Sequence, residues 1–407
     1  GDHRDLHSFP TRRSSDLGAA AQILKDYNPS DFSCAVGSTS VARQASDAAV
    51  DAAVQSALDD SVNLTRYDLS TENGVTVDCN SEGEFAFLDI HVMVTSEPAT
   101  TFARVLNINT LKTKVEAVSR VYPTQPFAFG NALVSLADVC KSNEGGVMFN
   151  GDSTTFINKG GIFSNSCVEA GGSSKIDVVG GSVKAYLPTG CSNYAPSYTL
   201  SPPVACTKAD VKLPKGMLPA PVCPVDGTHH STSQFSGTQT LHPGYYDNGV
   251  TIKNKANITL APGLYCISGG MENHAQSYLY GKNVTLYFMD DGSVTFNQNT
   301  GEGWGTELYA PSCNNSSCGV PDAVQGLLMY FAVGENAQVT LNGGSNNKYV
   351  GTIYGEETDF KINGGTEAYT FNTQIIGRYI YVSGGAQLMM DLDSKQWVQK
   401  PSSLSLI

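Results

Sequence analysis

Val339-Thr-Leu-Asn-Gly-Gly344, Phe360-Lys-Ile-Asn-Gly-Gly365 and Ile380-Tyr-Val-Ser-Gly-Gly385 are three copies of one phrase. Their leading glycines, Gly343, Gly364 and Gly384, stand 21 and 20 residues apart. Each copy holds two apolar residues one position apart, then a short polar residue, then Gly-Gly. Such alternation makes a brief strand that buries every second side chain. The glycines mark a corner where the backbone needs positive φ or close approach to a neighbour. A fixed period with no helical signal between copies predicts a β-solenoid. The phrase recurs at Ile176-Asp-Val-Val-Gly-Gly181 and Tyr265-Cys-Ile-Ser-Gly-Gly270. The corner glycines are thus Gly180, Gly181, Gly269, Gly270, Gly343, Gly344, Gly364, Gly365, Gly384 and Gly385. A second pair, Leu241-His-Pro-Gly244 and Leu260-Ala-Pro-Gly263, repeats after 19 residues. The expected fold is mainly β: a right-handed, single-stranded parallel solenoid over residues 130–395, with about 20 residues per turn. Val339, Leu341, Phe360, Ile362, Ile380 and Val382 should point inward and stack in register.

The chain has 407 residues, of which only 15% are charged and 41 are glycine. That suits a stacked β body covered by uncharged polar side chains. A net charge of −13 leaves nothing to neutralise phosphates and argues against nucleic acid as a partner. The ten cysteines include no CxxC and no Cys/His cluster with zinc spacing. Disulfides, and so an oxidising, exported location, are expected. The expected bridges are Cys140–Cys167, Cys223–Cys266, Cys313–Cys318, Cys34–Cys79 within the first module, and Cys191–Cys206 by elimination.

Residues 1–17 read like one translated frame of a sequencing adapter and are set aside from the fold. Residues 18–122 read as a small α+β module. Its helix is predicted at 38–60 from the apolar spacing of Val41, Ala45, Ala48, Ala49, Ala52 and Leu58. Alternating strands follow at 85–95 and 111–120, implying an antiparallel sheet with one solvated face. The Pro123–Pro126 stretch marks a boundary, and the β body is expected over 127–400. It is interrupted at 188–224, where eight of the eighteen prolines and three cysteines fall. No regular rung fits there, so an excursion pinned by disulfides is expected. A second break is expected at 301–321.

Parallel β bodies can host polysaccharide-cleaving chemistry, which needs a pair of suitably placed carboxylates. Asp290 and Asp291 are adjacent and would point to opposite faces of a strand, which suits acid/base pairing poorly. As Met289-Asp-Asp-Gly292 they read better as a turn. Glu302 and Glu307 lie farther on. His229-His230 sits in a Gly/Ser/Thr-rich loop without a second ligand cluster and reads as solvated. No calcium loop, nucleophile elbow or phosphate loop is present in the sequence. Catalytic, metal and cofactor-binding residues are therefore expected to be none. Tyr245, Tyr246, Tyr278, Tyr280, Tyr287, Tyr330, Tyr349, Tyr354, Tyr369, Tyr379 and Tyr381 read either as strand packing or as a face for stacking sugar rings.

In order and combination, several phrases resemble the bacterial TadG-like proteins of the Flp (tight adherence) pilus system. They are the Ala-rich Arg43-Gln-Ala-Ser-Asp-Ala-Ala-Val-Asp-Ala-Ala53, Thr101-Phe-Ala-Arg-Val-Leu-Asn-Ile-Asn109 with the strand ending near Val121, Pro262-Gly-Leu-Tyr-Cys266, Gly351-Thr-Ile-Tyr354 and Thr373-Gln-Ile-Ile376. The likeness covers nearly the whole chain after Gly18, in the variety whose C-terminal half is a right-handed parallel β-helix. It implies a non-catalytic pilus component, structural or adhesive, at the outer face of the cell envelope. It also implies a membrane helix ahead of the Ala-rich phrase, with pilus or envelope proteins and surface glycans as partners. The competing expectations are a polysaccharide lyase or hydrolase on the same scaffold, and a free-standing glycan-binding adhesin.

Overall fold

The computed structural model describes residues 74–82, 85–96, 113–122, 125–141, 145–195, 203–297, 303–313, 320, 322–332, 337–342, 347–364, 368–384, 387–391, 396–400 and 403–406. The helix predicted at 38–60 lies outside them. The described residues are mainly β, and include a short 3-10 turn at Phe127–Gly130. They belong to two compact units: residues 1–125 with 400–407, and Pro126–Gln399. The C-terminal tail thus leaves the body before Lys400 and joins the first unit.

The first unit holds an antiparallel sheet in the order Gly74–Glu82, Phe85–Ser96, Thr113–Tyr122, Ser403–Leu406. The two middle strands are those read from sequence alternation. Asp89 and Arg120 face each other across them and form a two-pronged ion pair at 2.7 and 2.9 Å, with the guanidinium 3.9 Å above the Phe87 ring.

In the second unit 25 strands form a large parallel sheet in which most strands pair with the strand three places away in the chain, so that they fall into three paired sets, or faces. On the first face Gly244–Tyr246, Gly263–Ile267, Val284–Phe288 and Leu327–Phe331 pair in turn. On the second, Val250–Ile252, Met271–Asn273, Val294–Phe296 and Gln338–Asn342 do so. On the third come Thr238–Leu241, Asn257–Leu260, Tyr278–Lys282 and Gly305–Tyr309. The long strands Lys348–Asn363 and Ala368–Ser383 bend through all three faces. Second-face register aligns Val339 with Phe360 and Ile380, and Leu341 with Ile362 and Val382, all six buried. Apolar alternation thus makes continuous inward columns, because parallel pairing places like residue on like residue.

The five Gly-Gly phrases do not share one edge. Gly364 and Gly384 turn the chain from the second face to the third, Gly269 and Gly270 from the first to the second, and Gly180 and Gly181 from the third to the first. One phrase serves all three corners. Gly343, Gly344, Gly365 and Gly385 lie outside the described residues. The requirement is close approach as much as conformation: a Cβ on Gly181 would sit 1.7 Å from the Gly160 carbonyl oxygen of the adjacent turn.

Stacking does not follow chain order. Leu133–Ser135 and Val147–Phe149 pair with Ala368–Ser383, and Thr154–Asn158 pairs with Gln387–Asp391. From there Ile162–Ser164, Val183–Ala185 and Cys206–Lys208 extend the first face away from the later turns. The earliest strands of the body are therefore laid on its last turn. To reach the opposite end, where His229–His230 begins the next turns, the chain runs back across the outside of the first face.

That return segment, 209–228, lies within the Pro-rich stretch expected to be an excursion. The part before it is more regular than expected, since Cys206–Lys208 is a paired strand. The contacts advance one after another along the face. Leu213 exchanges two 2.8 Å hydrogen bonds with the Asn165 side chain, and Lys212 pairs with Asp138. Lys215 pairs with Glu357, and the Gly216 amide donates to buried Glu356. Tyr330 then donates to the Leu218 carbonyl, Cys223 is bonded to Cys266, and Tyr245 donates to the Pro224 carbonyl. From Ile162–Ser164 to Gly244–Tyr246 there are seven strand spacings, about 34 Å at ~4.8 Å each. The 11 residue-to-residue steps from Leu213 to Pro224 cover about the same length at the ~3.1 Å per residue of polyproline II. Four prolines in that interval suit a strap with no strand partners. Beneath it Tyr330, Tyr354, Val134, Ile376 and Phe163 form a second apolar layer with Ala209 and Leu213. The first face is consequently buried on both sides, as its unbroken apolar runs require.

The structure holds Cys140–Cys167, Cys191–Cys206 and Cys223–Cys266 as disulfides. Cys313 is also disulfide-bonded. Its expected partner Cys318, with Cys34 and the Cys79 side chain, lies outside the described residues.

Candidate functional site

The sequence candidates separate sharply in space. Asp290 is a corner brace: its carboxylate accepts from the Gly269 amide at 2.8 and 2.9 Å and from the Gly292 amide at 3.2 Å. Asp291 follows it in the same turn, and Glu302 lies outside the described residues. His229 stacks on Tyr245 with centroids 4.5 Å apart and meets Asp247 at 2.8 Å; His230 stacks on Tyr246. Among the described residues Cys140, Cys167 and Glu169 form a cluster of metal-ligating types, but its two sulfurs are bonded to each other. At the corner after the second face, Asn342 donates to Asn297, Asn363 to Asn342, and Ser383 to Asn363. This amide ladder borders a groove of about 530 Å³ with His274 and Asn254.

Most of the tyrosines fall into three sets; Tyr245 stacks on His229, and Tyr379 and Tyr381 alternate with buried Ile380 and Val382 on the second face. Tyr246, Tyr265 and Tyr349 point into the inner core. Tyr330 and Tyr354 lie under the strap, with Tyr287 at its margin. Burial pushes the hydroxyls of Tyr246 and Tyr330 up to about 12, and those of Tyr265, Tyr349 and Tyr354 higher still. A pKa raised in the folded state contributes stability below the unfolded value near 10 and loses it as pH rises through the folded values. Melting temperature followed by circular dichroism should therefore fall steeply between about pH 10 and 12.

The third set faces outward. On the third face Tyr278, Tyr280 and Lys282 alternate with buried Leu279 and Gly281. On the neighbouring strand Glu307 and Tyr309 alternate with buried Leu308. Register puts Tyr278 opposite Gly305, Tyr280 opposite Glu307, and Lys282 opposite Tyr309; Lys348 follows beside Glu307. Tyr278 and Tyr280 have near-parallel rings, 13° apart with centroids at 6.5 Å, and the Tyr309 ring is 6.3 Å from Tyr280. Tyr278 donates to Oε1 of Glu307 at 3.0 Å and Tyr309 to Oε2 at 3.1 Å. Burial first, and then that carboxylate, push both hydroxyls up to about 12, so they remain donors at neutral pH. The Lys348 ammonium lies 5.3 Å from the Tyr309 ring centroid. Arranged this way, the cluster presents half-exposed aromatic faces, a carboxylate held by two hydroxyls, and a lysine on either side.

Sequence reasoning had named Tyr278 and Tyr280 as ring-stacking candidates and Glu307 only as a distant carboxylate. It passed over Tyr309, Lys282 and Lys348. Tyr309 falls inside 301–321, which reads as a break but contains the strand Gly305–Tyr309. The alternation Gly305-Thr-Glu-Leu-Tyr309 was the available signal. No family model matches the chain, and no curated protein or solved structure matches it.

Proposed function

We propose that Pro126–Gln399 is a right-handed parallel β-helix and that the chain is a non-catalytic, surface-displayed component of a tight-adherence type pilus, structural or adhesive in role. The observation that carries this reading is the set of inward apolar columns, continuous over successive turns and braced by the strap. Parallel strands repeating through three faces with glycine corners support the helical winding. A body stacked in this way resists bending, which suits holding a contact surface away from a membrane. No helix among the described residues is long and apolar enough to cross one, and anchoring by a preceding helix is part of the proposal. The strongest carboxylates for an enzyme, Asp290 and Asp291, sit in a corner, and Asp290 is spent on backbone amides.

Disruption of the gene in its host is the test. Surface attachment and pili should be lost, and complementation with Asp290→Ala/Asp291→Ala should restore them as fully as the natural sequence. Genes for a pilus ATPase, prepilin peptidase and small pilins beside this one would support the same reading. Cleavage of pectin or alginate by the purified chain, abolished by either aspartate substitution, would overturn it in favour of the enzyme.

A further inference from the structure

We propose that the outward third-face cluster of Tyr278, Tyr280, Glu307, Tyr309, Lys282 and Lys348 binds acidic polysaccharide, specifically chains of hexopyranose units bearing carboxylates. This deepens the adhesive side of the proposed function and rests on it. Aromatic rings are large, rigid contact surfaces that lose little entropy on binding, and a tyrosine left half-exposed on a sheet keeps one face for a partner. Here three such rings stand in a row, Tyr280 lying 6.5 Å from Tyr278 and 6.3 Å from Tyr309, where single exposed aromatics would carry no such meaning. Gly305, directly opposite Tyr278, has no side chain to cover that ring, and the neighbouring strand reaches it through the Glu307 carboxylate at its hydroxyl. The apolar C–H face of a pyranose ring matches these surfaces.

The charges select among sugars. Both carboxylate oxygens of Glu307 accept tyrosine hydroxyls, so Glu307 orients the rings instead of offering a bare anion. Lys282 and Lys348 stand on the strands either side of Tyr309, each with an ammonium of up to three donors. Six residues with two positive charges and one negative make a locally cationic spot on a chain of net charge −13. A uronate ring over Tyr309 would place its carboxylate within reach of either lysine, whereas a neutral sugar would leave both unused.

Titration calorimetry of the full chain at low salt tests the assignment, with hexagalacturonate as probe and cellohexaose as its neutral counterpart. Hexagalacturonate should bind at least about tenfold more tightly than cellohexaose, and 0.5 M salt should remove most of that preference. Tyr309→Ala should weaken hexagalacturonate binding by about tenfold, while Tyr309→Phe, which keeps the ring, stays within about twofold. Lys282→Gln with Lys348→Gln should erase the preference for the acidic sugar. All three variants change outward residues, and unchanged melting temperatures would establish that they fold. Absence of heat at millimolar hexagalacturonate, equal binding of cellohexaose, or unaltered binding by the folded variants would each overturn the proposal. Protease shaving of whole cells separates the two ideas: sugar binding by a chain that is not at the surface would sink the pilus reading and leave the site standing.

Discussion

Ile362→Asp should unfold several neighbouring turns of the body together, not merely weaken one strand. Ile362 is fully buried and lies in register between Leu341 and Val382. A carboxylate there has apolar neighbours above and below and no partner, which costs at least about 4–5 kcal/mol. Because each turn is stabilised chiefly by the turns it touches, neighbouring turns should be lost with it. Far-ultraviolet circular dichroism and limited proteolysis would show loss of the β signal and cleavage across 327–384. Ile362→Val, by contrast, should cost about 0.5–1.5 kcal/mol. The exposed neighbour Lys361→Asp should stay within about 0.5 kcal/mol. An Ile362→Asp chain melting within a few degrees of the natural one would show that the columns are not the core.

Replacing the strap disulfide, as Cys223→Ala with Cys266→Ala, should cost about 2–4 kcal/mol through the 43-residue loop it closes. The effect should be regional. Amide exchange should accelerate from Leu213 to Gly227, where carbonyl and side-chain contacts would be left to hold the strap alone. The apolar layer around Tyr330 and Tyr354 would then reach water, so their hydroxyls should titrate closer to the ordinary tyrosine value. Exchange at Val339–Leu341 should change little. If exchange rose uniformly over the body, the strap would be an integral part of one cooperative unit and not a separate brace.

Much of the repeat was legible because parallel stacking writes itself into local sequence. Residues one turn apart occupy like positions, so Val339, Phe360 and Ile380 align by eye and align in the structure. The Asp290 turn was legible for a similar reason, since corner chemistry is local. What remained hidden depends on pairing between distant segments. Nothing near Leu133 signals that its neighbour is Ile375, and nothing near Ser403 signals a fourth strand beside Thr113–Tyr122. Alternation also distinguishes inside from outside only when one side is wet. Tyr330 and Tyr280 both occupy outward positions, yet the strap covers one and leaves the other half-exposed. The proline cluster announced an irregular segment but not its direction of travel. That direction decides which tyrosines remain available to a ligand.

The backward stacking of the first strands also sets a clock. Ser135 donates its hydroxyl hydrogen bond to the Arg378 carbonyl, 243 residues later in the chain. A ribosome adding ~5–20 residues per second needs about 10–50 s to cover that interval. Throughout it, the first-made strands present an open edge with no cognate neighbour, and pairings this remote are slow to close once available. A polypeptide arranged in this order cannot complete its body while it is still emerging. It stays open until its last turn arrives to receive the first.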